Sequence, residues 1–245
     1  MQFHYTEPQT QLEELFGGHF CINAIGNIEA GDAGRFRHFL TASNVPPRCV
    51  VYIDSAGGDV DAAIEIGRLI RGAWLSTDVG RYLLDFGKTI DVPLIPRKKH
   101  QGQCLSAATL MYLGGRLRYL DDQATFGVHQ FKFPSARGDE VPKHFLAKSQ
   151  NLSARISEYI YDMGISPQFL LLSAATPSNE MRLVSKPELE RIGVVTGGQT
   201  AVAWILEANN GISYVKGERE RFDLRTSQGN ALLSQRCWLL FLGGD

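Results

Sequence analysis

The stretch from Gly102 to Gly115 reads GQCLSAATLMYLGG, and its reading decides the fold. Ser106 stands among small residues where a loop enters an apolar helical run, and Gly114-Gly115 closes that run. A serine in this setting can cap the helix with its side chain. It can also present its hydroxyl beside backbone N–H groups that lack intrahelical acceptors. Two further segments bear on the choice: IDSAGGDVDAA (Ile53 to Ala63) upstream and FGVHQF (Phe126 to Phe131) downstream.

Working outward, the same strand–turn–helix rhythm repeats. HFCINAIGNI (His19 to Ile28) has strand-like apolar enrichment, and Asp32 is a candidate N-cap for a short helix carrying Phe36, Phe39 and Leu40, stopped by Pro46-Pro47. CVVYID (Cys49 to Asp54) is a continuous apolar run, expected for a parallel strand buried on both faces. SAGGD then turns the chain into a helix on which Val60, Ile64, Gly67 and Ile70 trace a helical repeat, and STDVG (Ser76 to Gly80) opens the next strand. Residues 1 to 16 read as a peripheral lead-in. Repeated β-α units of this kind predict an α/β fold with crossover connections.

Between that strand and Ser106 lies an insertion from Arg81 to Gln101, long enough for a lid or rim, with a basic cluster RKKH (Arg97 to His100) that reads as solvated surface. Downstream, RLRYL (Arg116 to Leu120) and ATFGVHQFKF (Ala124 to Phe133) read as strands. Asp139 to Met163 reads as a long amphipathic helix ended by Gly164. ISPQFLLLSAAT is a short helix, NEMRLVS an extended piece, and KPELERIGVVTGG a helix with a glycine exit. From about residue 199 to 245 three β-like runs follow, the first two separated by Asn210-Gly211, a strong hairpin signal. The organisation expected is one domain over residues 1–198 and a small antiparallel β appendage over residues 199–245.

A chain of 245 residues with 44% hydrophobic and 21% charged residues can bury one large core. A formal net charge of -1 gives no basic field for nucleic acid or an acidic membrane surface. No apolar run approaches the ~20 residues of a membrane span. The first residues have neither a basic head nor an apolar core, so the sequence as written predicts a cytoplasmic protein, or a periplasmic one had a leader been removed. Cys21, Cys49, Cys104 and Cys237 are dispersed without metal-ligand spacing and read as free thiols; no metal or cofactor is expected.

The chemistry concentrates in three places. A serine hydroxyl attacks only if a base takes its proton and something stabilises the resulting oxyanion. His129, within an apolar strand, is a candidate base for Ser106. The N–H of Ala107 and the Gly57-Gly58 turn at the next helix N-terminus are candidate oxyanion donors.

Ser55-Ala56-Gly57-Gly58, Gly102-Gln103-Cys104-Leu105-Ser106 and His129-Gln130 resemble three motifs of the Clp protease proteolytic subunit family, which belongs to a superfamily shared with crotonases. Those motifs are a Ser/Ala-Pro-Gly-Gly-type turn after a strand, a Gly-Gln-Ala-Ala-Ser nucleophile turn, and His-Gln at a strand end. The likeness covers residues 18 to 197, including LVSKPELERIGVV, and is similar to a bacterial, often exported branch with a comparable insertion. It implies a ClpP/crotonase-like superhelix of β-α units and a serine-type endopeptidase acting on a peptide or protein substrate. Ser106 would be nucleophile, His129 base, and the Gly58 and Ala107 N–H groups the oxyanion hole. It also implies a homo-oligomer joined through the long helix. GxxxxGK[ST] does not occur, so the chain carries no ATPase motif.

The chain departs from the family at Ala56, where the family has proline, in the Arg81–Gln101 insertion, and at Met181, which falls where the catalytic aspartate belongs. Met cannot orient an imidazole. Glu180 is the preferred third residue and Asn179 the alternative, since Asn179 would share Met181's face of an extended segment. A Ser/Lys pair using Lys148 is a weaker option. Two other functions stay open: a crotonase-like acyl-CoA enzyme, and a catalytically silent assembly or binding module.

Overall fold

The computed structural model describes residues 1–11, 13, 20–85, 97–131, 143–196, 203–209, 212–223 and 232–241. Among them the protein is mixed α/β, with six helices and four small sheets. The first sheet has the order β1-β2-β3-β4: Gln2–Thr6, Cys21–Ile25, Val50–Asp54 and Ser76–Val79. β2, β3 and β4 run parallel, with helix α1 (Asp32–Ala42) between the first two and α2 (Val60–Gly72) between the second two. These are the β-α units the alternating pattern predicts.

Several local expectations shift. β1 pairs antiparallel with β2, and its Phe3 ring packs 4.9 Å from Phe36, so within the peripheral lead-in residues 2–6 form the edge strand of the sheet. Asp32 is not the cap of α1. Gly31 holds that position, while the buried Asp32 carboxylate accepts the Glu29 N–H at 2.6 Å. β3 buries Val51 and Ile53 completely, but its other face, with Tyr52, is only half-buried. That face is covered by the insertion: β5 (Arg81–Leu84) and β6 (Arg97–His100) form an antiparallel hairpin, and Tyr82 stacks on Tyr52 at 5.3 Å. The middle of the insertion, residues 86–96, where a lid would lie, falls outside the described residues.

RKKH is not a solvated face. The strand alternation sends Arg97 inward, where its side chain is 4% exposed and paired with Glu13 at 3.1 Å, and Lys99 towards Asp78 and Asp121 at 2.5 and 2.7 Å. Only Lys98 and His100 face solvent.

The third sheet carries the Ser106 region: β7 (Gln103–Leu105) parallel to β8 (Thr125–Val128), and β8 antiparallel to β9 (Arg182–Leu183). A bridge between Ser55 and Cys104 joins it to the end of β3. RLRYL forms no regular strand; it touches β4 through one bridge, Thr77 to Arg118. Arg118 is buried and spends its guanidinium on the carbonyl oxygens of Gly115, Gly193 and Val194 at 2.8, 3.0 and 2.8 Å.

Helix α3 (Ala107–Leu113) is buried throughout. Its last carbonyls are satisfied by side chains: the Tyr159 hydroxyl donates to Leu110 and Thr77 to Tyr112, both at 2.8 Å. Gly114 lies so close to α2 that a Cβ there would collide with the Gly67 carbonyl. The helix behind Ser106 is therefore held from three sides. Tyr159 belongs to α4 (Lys143–Asp162), which buries Ile156, Tyr159 and Ile160 and ends at Gly164, φ 69°. The four residues expected to start it, 139–142, lie outside the described residues. α5 (Gln168–Ala174) and α6 (Lys186–Arg191) follow as the pattern predicts.

At the C-terminal end β10 (Ala203–Asn209), β11 (Ile212–Asp223) and β12 (Leu232–Phe241) form an antiparallel three-stranded sheet. Asn209 pairs with Ile212, the register that a two-residue Asn-Gly connection demands. No helix of the described residues is long and apolar enough to cross a membrane.

Candidate active site

β7 delivers Ser106 at the point where it turns into α3, with the Ser106 N–H bonded to the Gly127 carbonyl of β8 at 2.9 Å. Its backbone sits at φ 54°, ψ -128°, a conformation rare for any residue with a side chain. Such strain lifts a side chain out of the strand-to-helix turn. Ser106 occupies the N-cap position of α3, yet its side chain makes no capping hydrogen bond. Its Oγ lies 2.7 Å from His129 Nε2 instead. The structure thus brings the first two expected residues together.

β8 ends at Val128 and presents His129, half-buried, on the far side of the turn. The third position is filled by the backbone. His129 Nδ1 lies 3.0 Å from the carbonyl oxygen of Ser178. A carbonyl only accepts, so Nδ1 carries the proton and Nε2 is left as the acceptor for the Ser106 hydroxyl. That is the tautomer a general base needs. Glu180 and Asn179, the expected third residues, are exposed, and among the described residues no side-chain carboxylate bonds to His129. The reason is local: the chain leaves α5 in a turn closed by the Glu180 N–H on the Pro177 carbonyl at 2.9 Å, which brings main chain, not side chain, against the imidazole. Gln130 clamps that turn. Its N–H donates to Thr176 O at 2.9 Å and its side-chain amide to Ala174 O at 2.7 Å.

Met181 is exposed and lies beside Gly127, where a Cβ would come within 2.9 Å of its sulfur. Val128 pairs with Arg182 and Gly127 with Leu183, so His129 and Met181 are the residues that follow and precede the paired stretch.

The SAGGD turn sets the direction of the first candidate oxyanion donor, the Gly58 N–H. Ile28 donates to the Gly57 carbonyl at 2.8 Å and accepts from the Asp59 N–H at 2.9 Å. A trans peptide points its C=O and the next N–H in opposite directions, so the Gly58 N–H is turned away from Ile28. The next neighbour of this segment on its other side is the Ser106 turn: Ser55 bridges Cys104. Neither the Gly58 nor the Ala107 N–H donates to an acceptor among the described residues. Gly57, φ 108°, was not singled out by the sequence beyond its place in the Gly-Gly pair. A Cβ there would lie 2.8 Å from Ser106 Cβ and 3.1 Å from Ala107 N, so its hydrogen keeps open the space in front of the hydroxyl.

Cys104, two residues from Ser106, is not a competing nucleophile. It is fully buried, and burial pushes its thiol well above the ordinary range. Beyond His129 opens a cleft of about 480 Å³ lined by Phe131, Leu152, Ile156, Leu170 and Ala174. Among the described residues no three His, Cys, Asp or Glu side chains converge as a metal site. The side chain of Lys148 lies outside the described residues.

No family model matches the chain, and no curated protein matches it.

Proposed function

We propose that the protein is a serine hydrolase of the Clp protease proteolytic subunit kind, its β-α units belonging to a ClpP/crotonase-like superhelix. The observation that carries this reading is the 2.7 Å approach of Ser106 Oγ to His129 Nε2, with Nδ1 committed to a main-chain acceptor. In this reading His129 takes the hydroxyl proton as Oγ attacks an acyl carbon. The Gly58 and Ala107 N–H groups receive the oxyanion, and the imidazolium returns its proton to the leaving group. Water, deprotonated by the same nitrogen, then releases the acyl group from Oγ. Peptides or proteins are the substrates the resemblance suggests, and a homo-oligomer through α4 is proposed with them.

A fluorophosphonate probe tests this. Wild type should label and Ser106→Ala should not; equal labelling of the two, or none of either, overturns it. The second reading is a catalytically silent binding module. It is favoured by the Ser178 carbonyl standing where a carboxylate would normally stand, and labelling of Ser106 counts against it. A crotonase-like acyl-CoA enzyme has no use for the Ser106–His129 contact and ranks last.

A further inference from the structure

Resting on that serine hydrolase reading, we propose that the neutral carbonyl behind His129 widens the site's preference for esters over amides beyond what a carboxylate in that place would leave. The grounds are the neutral partner of His129 and what each leaving group asks of the imidazole. In both reactions the Ser106 Oγ–C bond forms as the Oγ proton passes to Nε2. With an ester the C–O bond then breaks, and the expelled oxygen takes that proton from Nε2. With an amide the nitrogen must be protonated before the C–N bond can break, because an amide anion does not leave. Amide cleavage therefore depends on an imidazolium held in place as an acid, and ester cleavage depends on it far less.

The structure separates the two duties that a carboxylate combines. Orientation is provided: the Ser178 carbonyl at 3.0 Å fixes the tautomer, and the Gln130 bonds to Ala174 and Thr176 hold the turn that presents it. Charge is not provided, since a carbonyl offers a dipole where a carboxylate offers a full negative charge. Met181, which adjoins His129 at the end of the β8–β9 pairing, is apolar and brings no charge to the imidazole. The apolar cleft that begins at Gln130 and Phe131 suits an apolar side chain on the acyl group.

The test uses N-acetylphenylalanine methyl ester and the matching methylamide with the full chain. Met181→Asp places a carboxylate beside His129 and should narrow the ester-to-amide ratio of kcat/KM by at least about tenfold, through faster amide cleavage. Met181→Asn, equal in size but neutral, should leave the ratio as in wild type. An unchanged ratio in folded Met181→Asp, or the same narrowing with Asn, overturns the proposal. Should Met181→Asp fail to fold, wild type decides alone. Across esters of increasingly basic alcohols its rate should fall steeply, and a flat series overturns the proposal. Fluorophosphonate labelling separates the two levels. Labelling at Ser106 with an unchanged ratio sinks the leaving-group proposal only, whereas absence of labelling sinks the hydrolase reading with it.

Discussion

At Gly57 the chain has room for a hydrogen and nothing larger, because the next atoms outward are Ser106 Cβ, the Leu105 carbonyl and the Ala107 nitrogen. On the proposed hydrolase reading, Gly57→Ala would fill the space offered to an acyl group, and it would strain a backbone at φ 108°. The expected result is a fall in kcat/KM of about 10²–10³-fold, the size of losing an oxyanion contact. Thermal melting should show a destabilisation of about 1–3 kcal/mol. Full activity in a folded Gly57→Ala would show that substrate does not approach from this side. The pairing of Ser106 with His129 was legible in the sequence because it resides in residue type: a hydroxyl and an imidazole. The Ser178 carbonyl was not legible, since every residue carries one and only the turn after α5 aims this one at Nδ1. No side-chain type at 179 or 180 could have announced a main-chain acceptor at residue 178.

The hairpin β5–β6 shows what a strand period does to a run of charge. Read as composition, Arg97 to His100 is a solvated patch; alternation in a strand carries Arg97 and Lys99 to buried acids at Glu13 and Asp78. Those partners lie 84 and 21 residues away in sequence, which is why no local pattern revealed them. Burial raises the Asp78 carboxyl above its ordinary range, and Lys99 pulls it back down. Lys99→Met should therefore leave an uncompensated buried carboxylate and lower stability by about 2–3 kcal/mol at neutral pH, somewhat under a fully buried pair because Lys99 is partly exposed. The raised carboxyl binds its proton more readily in the folded state than in the unfolded one. The deficit should then shrink as pH falls and Asp78 becomes neutral. Urea titrations of both proteins at pH 7 and pH 4.5 check this, and an equal deficit at both values would exclude the ionic explanation. The segment after α3 carries a parallel case. Arg118 was expected in a strand but serves as a buried tie between residues 113–115 and 193–194, its own basicity pushed down to about 10 by burial. Arg118→Met strands several carbonyls at about 1–3 kcal/mol each and should unfold the protein at markedly lower urea concentration.

At the scale of the whole molecule the β-α rhythm was legible because periodicity and turn chemistry repeat along the chain. The joining of the first and third sheets was not, because among the described residues it rests on the isolated bridge from Ser55 to Cys104. The core they enclose contains three free thiols, Cys21, Cys49 and Cys104, all buried. Burial pushes Cys21 up to about 11 and raises Cys49 and Cys104 well above the ordinary range as well. For a thiol the charged form is the deprotonated one, so burial keeps the proton on in the folded state while the unfolded chain releases it near ~8.5. Folded protein thus binds more protons than unfolded protein above that pH, and stability must fall as pH rises. Below ~8.5 both states hold their protons and the thiols contribute no pH dependence. Above it each thiol contributes a slope approaching about 1.4 kcal/mol per pH unit, until its folded-state value is passed, which for Cys21 is about 11. Three together approach about 4 kcal/mol per unit, enough to unfold a domain of ordinary stability within two units. Chemical denaturation at pH 7.5, 8.5 and 9.5 should show a flat then steeply falling free energy. A triple Cys→Ala variant at positions 21, 49 and 104 should lose most of that fall, although its stability at pH 7.5 will be lower. Iodoacetamide should leave the folded thiols unmodified at pH 7.5 and react with them in urea. Rapid alkylation of Cys21, Cys49 or Cys104 in the native protein, or an unchanged slope in the triple variant, would place the alkaline transition elsewhere in the core.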